Sequence, residues 1–285
     1  MSWGGHGNTW GSQGGNGSCR GSENGSMGVD CFSFRKTLLP QTKAYLKQCN
    51  PKPSAKWTKA LNTFIKGLIA DGNWALLDRM WLFNTDYQQN ARISIVNPTS
   101  TQITEVNSPT WTKNVGYTGN GTSMYLNTNF NPATQGKDFT LNLASMGFFM
   151  QTINLSVLQV DLGAYDGTNL TRMILNYNGT GSDEWSINSA SNVINTGSPG
   201  TAGMYVGVRP SSTTYSIYYN GISYASGSNT ANTIPSLVQY IMTENNSGTP
   251  STAYSKRTYS MVFFGSGSIN QAKLYSRFST FLTNL

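Results

Sequence analysis

Acidic side chains are scarce in this sequence: 12 Asp and Glu stand against 19 Lys and Arg over 285 residues, and His6 is the single histidine. That scarcity removes most hydrolytic chemistry. One histidine, set in a glycine tract, builds neither a Ser-His-Asp arrangement nor a His-rich metal site in the body of the chain. Cysteine is nearly missing too. Cys19, Cys31 and Cys49 are odd in number and confined to the first fifth of the chain. They exclude a disulfide framework for the rest, and no spacing matches a zinc site. Long apolar runs are absent; stretches such as Met146 to Met150 are far too short to span a membrane. The opening MSWGGHGNTWGSQGGNG lacks the basic and apolar regions of a signal peptide. The expectation is a protein made in a cytoplasm that does not use the ordinary secretory route.

Charged residues make up 11% and apolar ones 38%, and Gly, Ser, Thr and Asn fill the gap. Aromatics, at 12%, are too plentiful for a disordered chain. The balance suits many short strands joined by polar turns. The formal charge of +7 is local. Arg35, Lys36, Lys43, Lys47, Lys52, Lys56, Lys59 and Lys66 fall between Asp30 and Asp71 with no acid among them. A solvated helix face is the plain reading, and an acidic partner surface or packaged nucleic acid the alternatives.

Residues 1 to about 28 are Gly/Ser/Asn low complexity punctuated by Trp3 and Trp10. Such a segment does not order itself, because glycine backbone entropy opposes it. Its tryptophans and cysteines point to order against another subunit or a shell, and a merely disordered tail is the alternative. Leu38, Leu39, Tyr45 and Leu46 support a short helix, which Pro51 and Pro53 stop. Ser54 then N-caps a helix with Trp57, Leu61, Phe64, Ile65, Leu68 and Ile69 at helical spacing, closed by Gly72. The first buried strand is RMWLFN. From there to Gly265 short apolar or alternating runs follow, among them ARISIV, SMYLNT, FTLNLASMGFFM, VLQVDLGA, EWSINS and LVQYIMTE. Asn120-Gly121, Asp166-Gly167 and Asn220-Gly221 mark turns between them. A C-terminal helix is expected near 268–283, with Ser268 as N-cap.

The sequence is thus expected to be mainly β: an antiparallel β-sandwich with flanking helices and a Gly-rich N-terminal anchor. Residues 1–53 form the anchoring and assembly segment, and 54–285 the helix-flanked sandwich.

Several motifs carry a resemblance. FIKGLIADGNWALLDRMWLF, ARISIVNP and GYTGNGTSMYLNTNFNPATQG resemble a recurrent module of bacteriophage structural proteins with a concanavalin A/laminin-G-like jelly roll. The matching pieces are Ala70 to Asp78, Gly116 to Pro132, Tyr215 to Gly221, Phe263 to Gly265 and Ser268 to Leu285. The resemblance spans about residues 54 to 285 and implies a virion context. It implies other virion proteins as partners, a homo-oligomer (a trimer by analogy) and synthesis in a bacterial cytoplasm.

Catalysis finds little support. Jelly-roll glycosidases need two carboxyls across a cleft, and their clustered acids are missing. Asp183 and Glu184 are adjacent, so a strand points them to opposite faces. Asp161, Asp166 and Asn169 are a calcium candidate, but an Asx-type turn explains YDGTN more simply. No cofactor is otherwise implied. Sugar binding is the stronger option, because saccharides stack on aromatic faces and amides satisfy their hydroxyls. Trp111, Tyr117, Trp185, Tyr218, Tyr219 and Tyr240 are the ligand-binding candidates, with packing in the core the plainer reading for each. Trp3, Trp10, Lys43 and Lys47 are the assembly candidates. The leading expectation is a virion spike or fibre component that displays its sandwich to a host-surface glycan. A shell-cementing or tail decoration protein is the alternative, and a carbohydrate-active enzyme the third.

Overall fold

A computed structural model describes Met1 and residues 37–155, 158–177 and 181–285. Trp3, His6, Trp10, Cys19 and Cys31 lie outside the described residues. The chain divides into two compact units, Met1–Leu38 and Leu39–Leu285. The second unit contains both the sandwich and its helices.

Helix α1, Pro40–Gln48, opens that unit. The Leu39 N–H and the Thr42 hydroxyl both donate to Asn62 Oδ1, each at 2.9 Å. Tyr45 stacks on Trp57 with ring centroids 5.8 Å apart. Helix α1 therefore packs on the next helix within the same compact unit. Helix α2, Ala55–Ala70, starts where its cap predicts, with Ser54 Oγ accepting from the Trp57 N–H at 3.2 Å. Asp71 caps its end and Gly72 follows, at a φ of +77° that suits glycine.

A short 3-10 turn, Trp74–Leu76, leads into β1, Leu77–Leu82. ARISIV is a correction. It holds the end of a four-residue helix, α3 (Gln88–Ala91), followed by turns, with an isolated bridge from Ser94 to Trp81. Ile93 and Ile95 are buried, but in the layer beneath the helices. Burial there needs no strand partner.

The strands that follow are β2 (Thr104–Val106), β3 (Thr110–Thr112), β4 (Gly116–Thr118) and β5 (Tyr125–Asn127). A short helix, α4 (Pro132–Gln135), precedes β6 (Ala144–Thr152), β7 (Leu162–Tyr165), β8 (Leu170–Tyr177), β9 (Ser182–Ser189) and β10 (Ile194–Thr196). Next come β11 (Gly203–Arg209), β12 (Thr214–Tyr219), β13 (Ile222–Ser228), β14 (Tyr240–Ile241), β15 (Glu244–Asn246), β16 (Thr249–Pro250) and β17 (Thr258–Gly265). The stretch LVQYIMTE is thus split, with Met242 at φ +74° between β14 and β15. The last helix, α5 (Gln271–Thr283), is capped by Asn270 and not by Ser268.

One sheet runs β13-β12-β11-β6-β17-β4-β3, with β1 also on β17; the other runs β10-β9-β8-β7-β14-β5-β2. Pairing is antiparallel among the described strands except for β15 on β7. The two sheets make the expected sandwich. Its inner layer includes Phe148, Tyr205, Tyr259 and Phe264 from the first sheet and Leu126, Met173 and Trp185 from the second. The first sheet is buried on its other face as well. Met204, Val206, Met261 and Phe263 pack there against Trp57, Phe64, Phe278 and Phe281 of the helices. Two covered faces explain why β17 is apolar almost throughout.

The turn motif of the resemblance closes a corner of this body. Asp78 accepts from the backbone N–H groups of Lys137, Asp138 and Phe139 at 2.8, 3.1 and 2.6 Å. ADGNWALLD and FNPATQGKDF are thereby held together through one carboxylate. Asn120 Oδ1 accepts from the N–H groups of Thr122, Ser123 and Met124. These bonds fix the turn that Asn120-Gly121 marks.

Candidate functional site

A glycosidase on this fold would need two carboxyls facing one cleft. Asp183 and Glu184 do face opposite ways. Glu184 binds Arg172, with Nε 2.6 Å from Oε1 and Nη2 3.0 Å from Oε2. Arg172 Nη1 also reaches Glu244 at 3.0 Å. Asp183 accepts from the Asn176 N–H at 3.0 Å and the Tyr224 hydroxyl at 2.8 Å. Burial pushes the Asp183 carboxyl up; bonds from Asn176, Ser198 and Tyr224 pull it back, and the charge of Asp161 raises it again. Burial likewise raises Glu184 despite Arg172. Asp161 is held by Arg257, 2.6 Å away. Each of these acids is occupied within the fold.

The calcium candidate does not assemble. Asp161 is fully buried and paired, whereas Asp166 accepts from the N–H groups of Thr168 at 3.0 Å and Asn169 at 2.7 Å. Among the described residues no group of three His, Cys, Asp or Glu could hold a metal ion.

The aromatic candidates scatter. Tyr117 is fully buried and its hydroxyl bonds to Glu105. Trp185 is 2% exposed and lies against Tyr205 in the inner layer. Both are placed where no ligand can stack, because alternation sends them inward. Tyr240 is 7% exposed and packs on Tyr125, with Tyr254 beside it. Trp111 is half-buried and donates to the Phe83 carbonyl at 2.9 Å. Tyr218 rests against the helix layer, while Tyr219 packs on Tyr205 and donates to the Ala202 carbonyl. Lys43 and Lys47 are exposed on α1.

A cleft elsewhere brings polar groups together. It opens between the β9–β10 connection and the segment that leaves β13, beside Tyr215 of β12. Its volume is about 660 Å³, and Ser191, Asn192, Ile194, Tyr215, Asn229 and Asn232 are among the residues around it. Among the described residues no charged side chain lines it. Tyr215 is half-buried and sits across from Gly227, where an added Cβ would stand 2.9 Å from the ring. Glycine at that position leaves room for the aromatic ring. Asn229 is fixed from behind by Arg209, which donates to its carbonyl at 2.6 Å and to its Oδ1 at 2.5 Å. Arg209 Nε also donates to the Ile187 carbonyl at 2.7 Å, which ties β11 to β9. Asn232 is exposed, and its backbone N–H donates to the Asn188 carbonyl at 2.8 Å. Its Nδ2 donates to Asn169 Oδ1, also at 2.8 Å. The cleft thus combines one aromatic ring with amides and hydroxyls. Sequence reading missed Tyr215, Asn192, Asn229 and Asn232 as a site. The only signal was the uncharged run GSNTANT, and nothing local sets it beside Tyr215.

No protein-family model and no curated protein matches the chain. Some solved structures are similar to it. A Trypanosoma rangeli sialidase shares 12% identity over 76% of this chain and 38% of its own, with a TM-score of 0.47. The binding domain of botulinum neurotoxin serotype D shares 9% over 71% of this chain and 52% of its own, at 0.44. The CBM40 of the Ruminococcus gnavus IT-sialidase shares 10% over 48% of this chain and 83% of its own, at 0.37. The chain spans less than two thirds of the sialidase and of the neurotoxin domain. At these identities and TM-scores the likenesses assign no activity to this chain.

Proposed function

We propose that this chain is a non-catalytic saccharide-binding sandwich, carried on a bacteriophage particle as a spike or fibre component that contacts the host surface. The cleft around Tyr215 is the observation that carries the binding role. An aromatic face offers stacking to a sugar ring, and neutral amides and hydroxyls satisfy sugar hydroxyls without a charge. The occupied carboxylates support binding without turnover. The virion context rests on the motif resemblance, with the N-terminal segment as anchor through Trp3 and Trp10. Lys43 and Lys47 supply charge for an acidic shell surface, and symmetric oligomerisation displays several clefts at once.

Calorimetric titration of the full chain with a panel of bacterial surface oligosaccharides tests the binding role. Binding is expected, with Tyr215→Ala weakening it by about tenfold or more, as loss of an aromatic anchor does. Binding that is indifferent to this substitution would place the site elsewhere. Steady release of reducing ends from the same panel would overturn the non-catalytic reading. Immunogold labelling of intact particles tests the context, and unlabelled particles would remove it.

A further inference from the structure

Two charged residues fix how the cleft's amides face, Arg209 directly and Asp166 through Asn169. On one side Arg209 Nη2 donates to Asn229 Oδ1 at 2.5 Å. A guanidinium has no acceptor, so that contact holds the Asn229 oxygen inward and its Nδ2 outward. Nδ2 has a contact of 3.4 Å to the Ser191 carbonyl, which engages one of its two N–H groups. On the other side Asp166 takes Asn169 Nδ2 at 3.3 Å to Oδ1 and 3.2 Å to Oδ2. An ionised carboxylate cannot donate, so Asn169 keeps its Oδ1 toward Asn232. Asn232 Nδ2 donates to that oxygen, and Asn232 Oδ1 remains as an acceptor. Burial works against the ionised form of Asp166, but the bonds from Asn169 and Thr168 outweigh it and hold its carboxyl below the usual value.

We infer that the cleft selects an uncharged, hydroxyl-bearing saccharide, taking one hydroxyl as acceptor at Asn229 Nδ2 and another as donor at Asn232 Oδ1. This rests on the saccharide reading of the same cleft. Asp166 and Arg209 act as positioning residues, since Arg209 reaches the ligand only through Asn229, and Asp166 only through Asn169 and then Asn232. An acidic sugar is disfavoured for two reasons. Its carboxylate meets no cation among the described lining residues, and Arg209 is 1% exposed with Nε, Nη1 and Nη2 each bonded to a protein oxygen. The turn YDGTN, a metal candidate by composition, thereby gains a role in setting the polarity of an amide relay.

The test is a titration of the full chain with matched pairs: neutral glucose-, galactose- and mannose-terminated oligosaccharides, and the same chains capped with sialic or glucuronic acid. Neutral members are expected to bind at least about tenfold more tightly than their capped partners, the scale on which an unpaired polar group discriminates. Asn232→Ala, at an exposed position, is expected to weaken neutral ligands by about tenfold for the lost hydrogen bond. Asp166→Asn is expected to weaken them too and to narrow the gap between neutral and capped members, with thermal melting run alongside to confirm the fold. Capped sugars that bind as well as neutral ones, with binding lost in Tyr215→Ala, would overturn this inference and leave the saccharide reading standing. Full neutral binding in Asn232→Ala, still lost in Tyr215→Ala, would overturn the hydroxyl assignment. Failure of every sugar to bind would overturn both.

Discussion

Arg257 and Asp161 lie 96 positions apart in the chain, yet Arg257 Nη1 stands 2.6 Å from each oxygen of the Asp161 carboxylate. Both side chains are fully buried. Arg257 leads into β17 of one sheet and Asp161 into β7 of the other, so the pair ties the two layers together. The Tyr259 hydroxyl donates to Asp161 Oδ1 at 2.5 Å, and the Leu175 N–H donates to Oδ2 at 2.8 Å. Arg257 Nη2 and Nε donate to the carbonyls of Leu175 and Asn154 at 2.9 and 3.0 Å. A buried pair survives desolvation only when its remaining lone pairs and protons are satisfied in this way.

Asp161→Asn is expected to destabilise the protein by about 3–5 kcal/mol, because it strands a buried guanidinium. The double change Asp161→Leu with Arg257→Met should cost less than that single change. Urea denaturation of the three proteins checks the order. A double variant less stable than the single one would show that the pair itself, and not its half-removal, sets the stability.

Asp78 is expected to matter out of proportion to its size. Asp78→Ala leaves the N–H groups of Lys137, Asp138 and Phe139 without their acceptor. A loss of about 2–4 kcal/mol follows from charge-assisted bonds to a buried corner. Amide hydrogen exchange should rise first at 137–139. Unchanged protection there would mean that another group holds the turn.

Truncation separates the two ways of dividing the chain. Removing residues 1–53 takes Tyr45 away from Trp57 and uncovers the Asn62 side of α2. A chain starting at Leu39 should melt at a higher temperature than one starting at Ser54, by several degrees for each kcal/mol of lost packing. Equal melting temperatures would show that α1 contributes little to the body.

Cys49 gives a pH signature. It is 1% exposed, and burial pushes its thiol from 9.0 up to about 12, against smaller opposing effects of Tyr45 and Lys52. In that window the unfolded chain has lost the proton that the folded chain keeps, so stability falls as pH rises. The contribution is fully present below 9.0 and is lost progressively toward about 12. A comparison with Cys49→Ala isolates it: the parent should lose stability relative to the variant across that range. With Cys19 and Cys31 replaced by Ser, labelling of Cys49 by a disulfide reagent at neutral pH should track global unfolding. Rapid labelling of the folded chain would contradict the burial.

The sequence by itself determined what is local. Ser54 and the apolar spacing of Trp57, Leu61, Phe64 and Leu68 specify α2, because cap and periodicity lie within one helix. The chain of turns and short runs specified an antiparallel sandwich, since each hairpin is encoded by its own few residues. Tertiary structure decided what depends on distant segments. Alternation says that neighbouring residues face opposite ways, but not what covers each face. It could not tell that the first sheet is roofed by helices, that Tyr117 and Trp185 are interior, or that Ile93 and Ile95 are buried without a strand. Nor could it place Tyr215, Asn192, Asn229 and Asn232 around one cleft. They meet because the β9–β10 connection, β12 and the segment after β13 lie together near edges of the two sheets, and which strands become edges is set by the pairing of the whole chain.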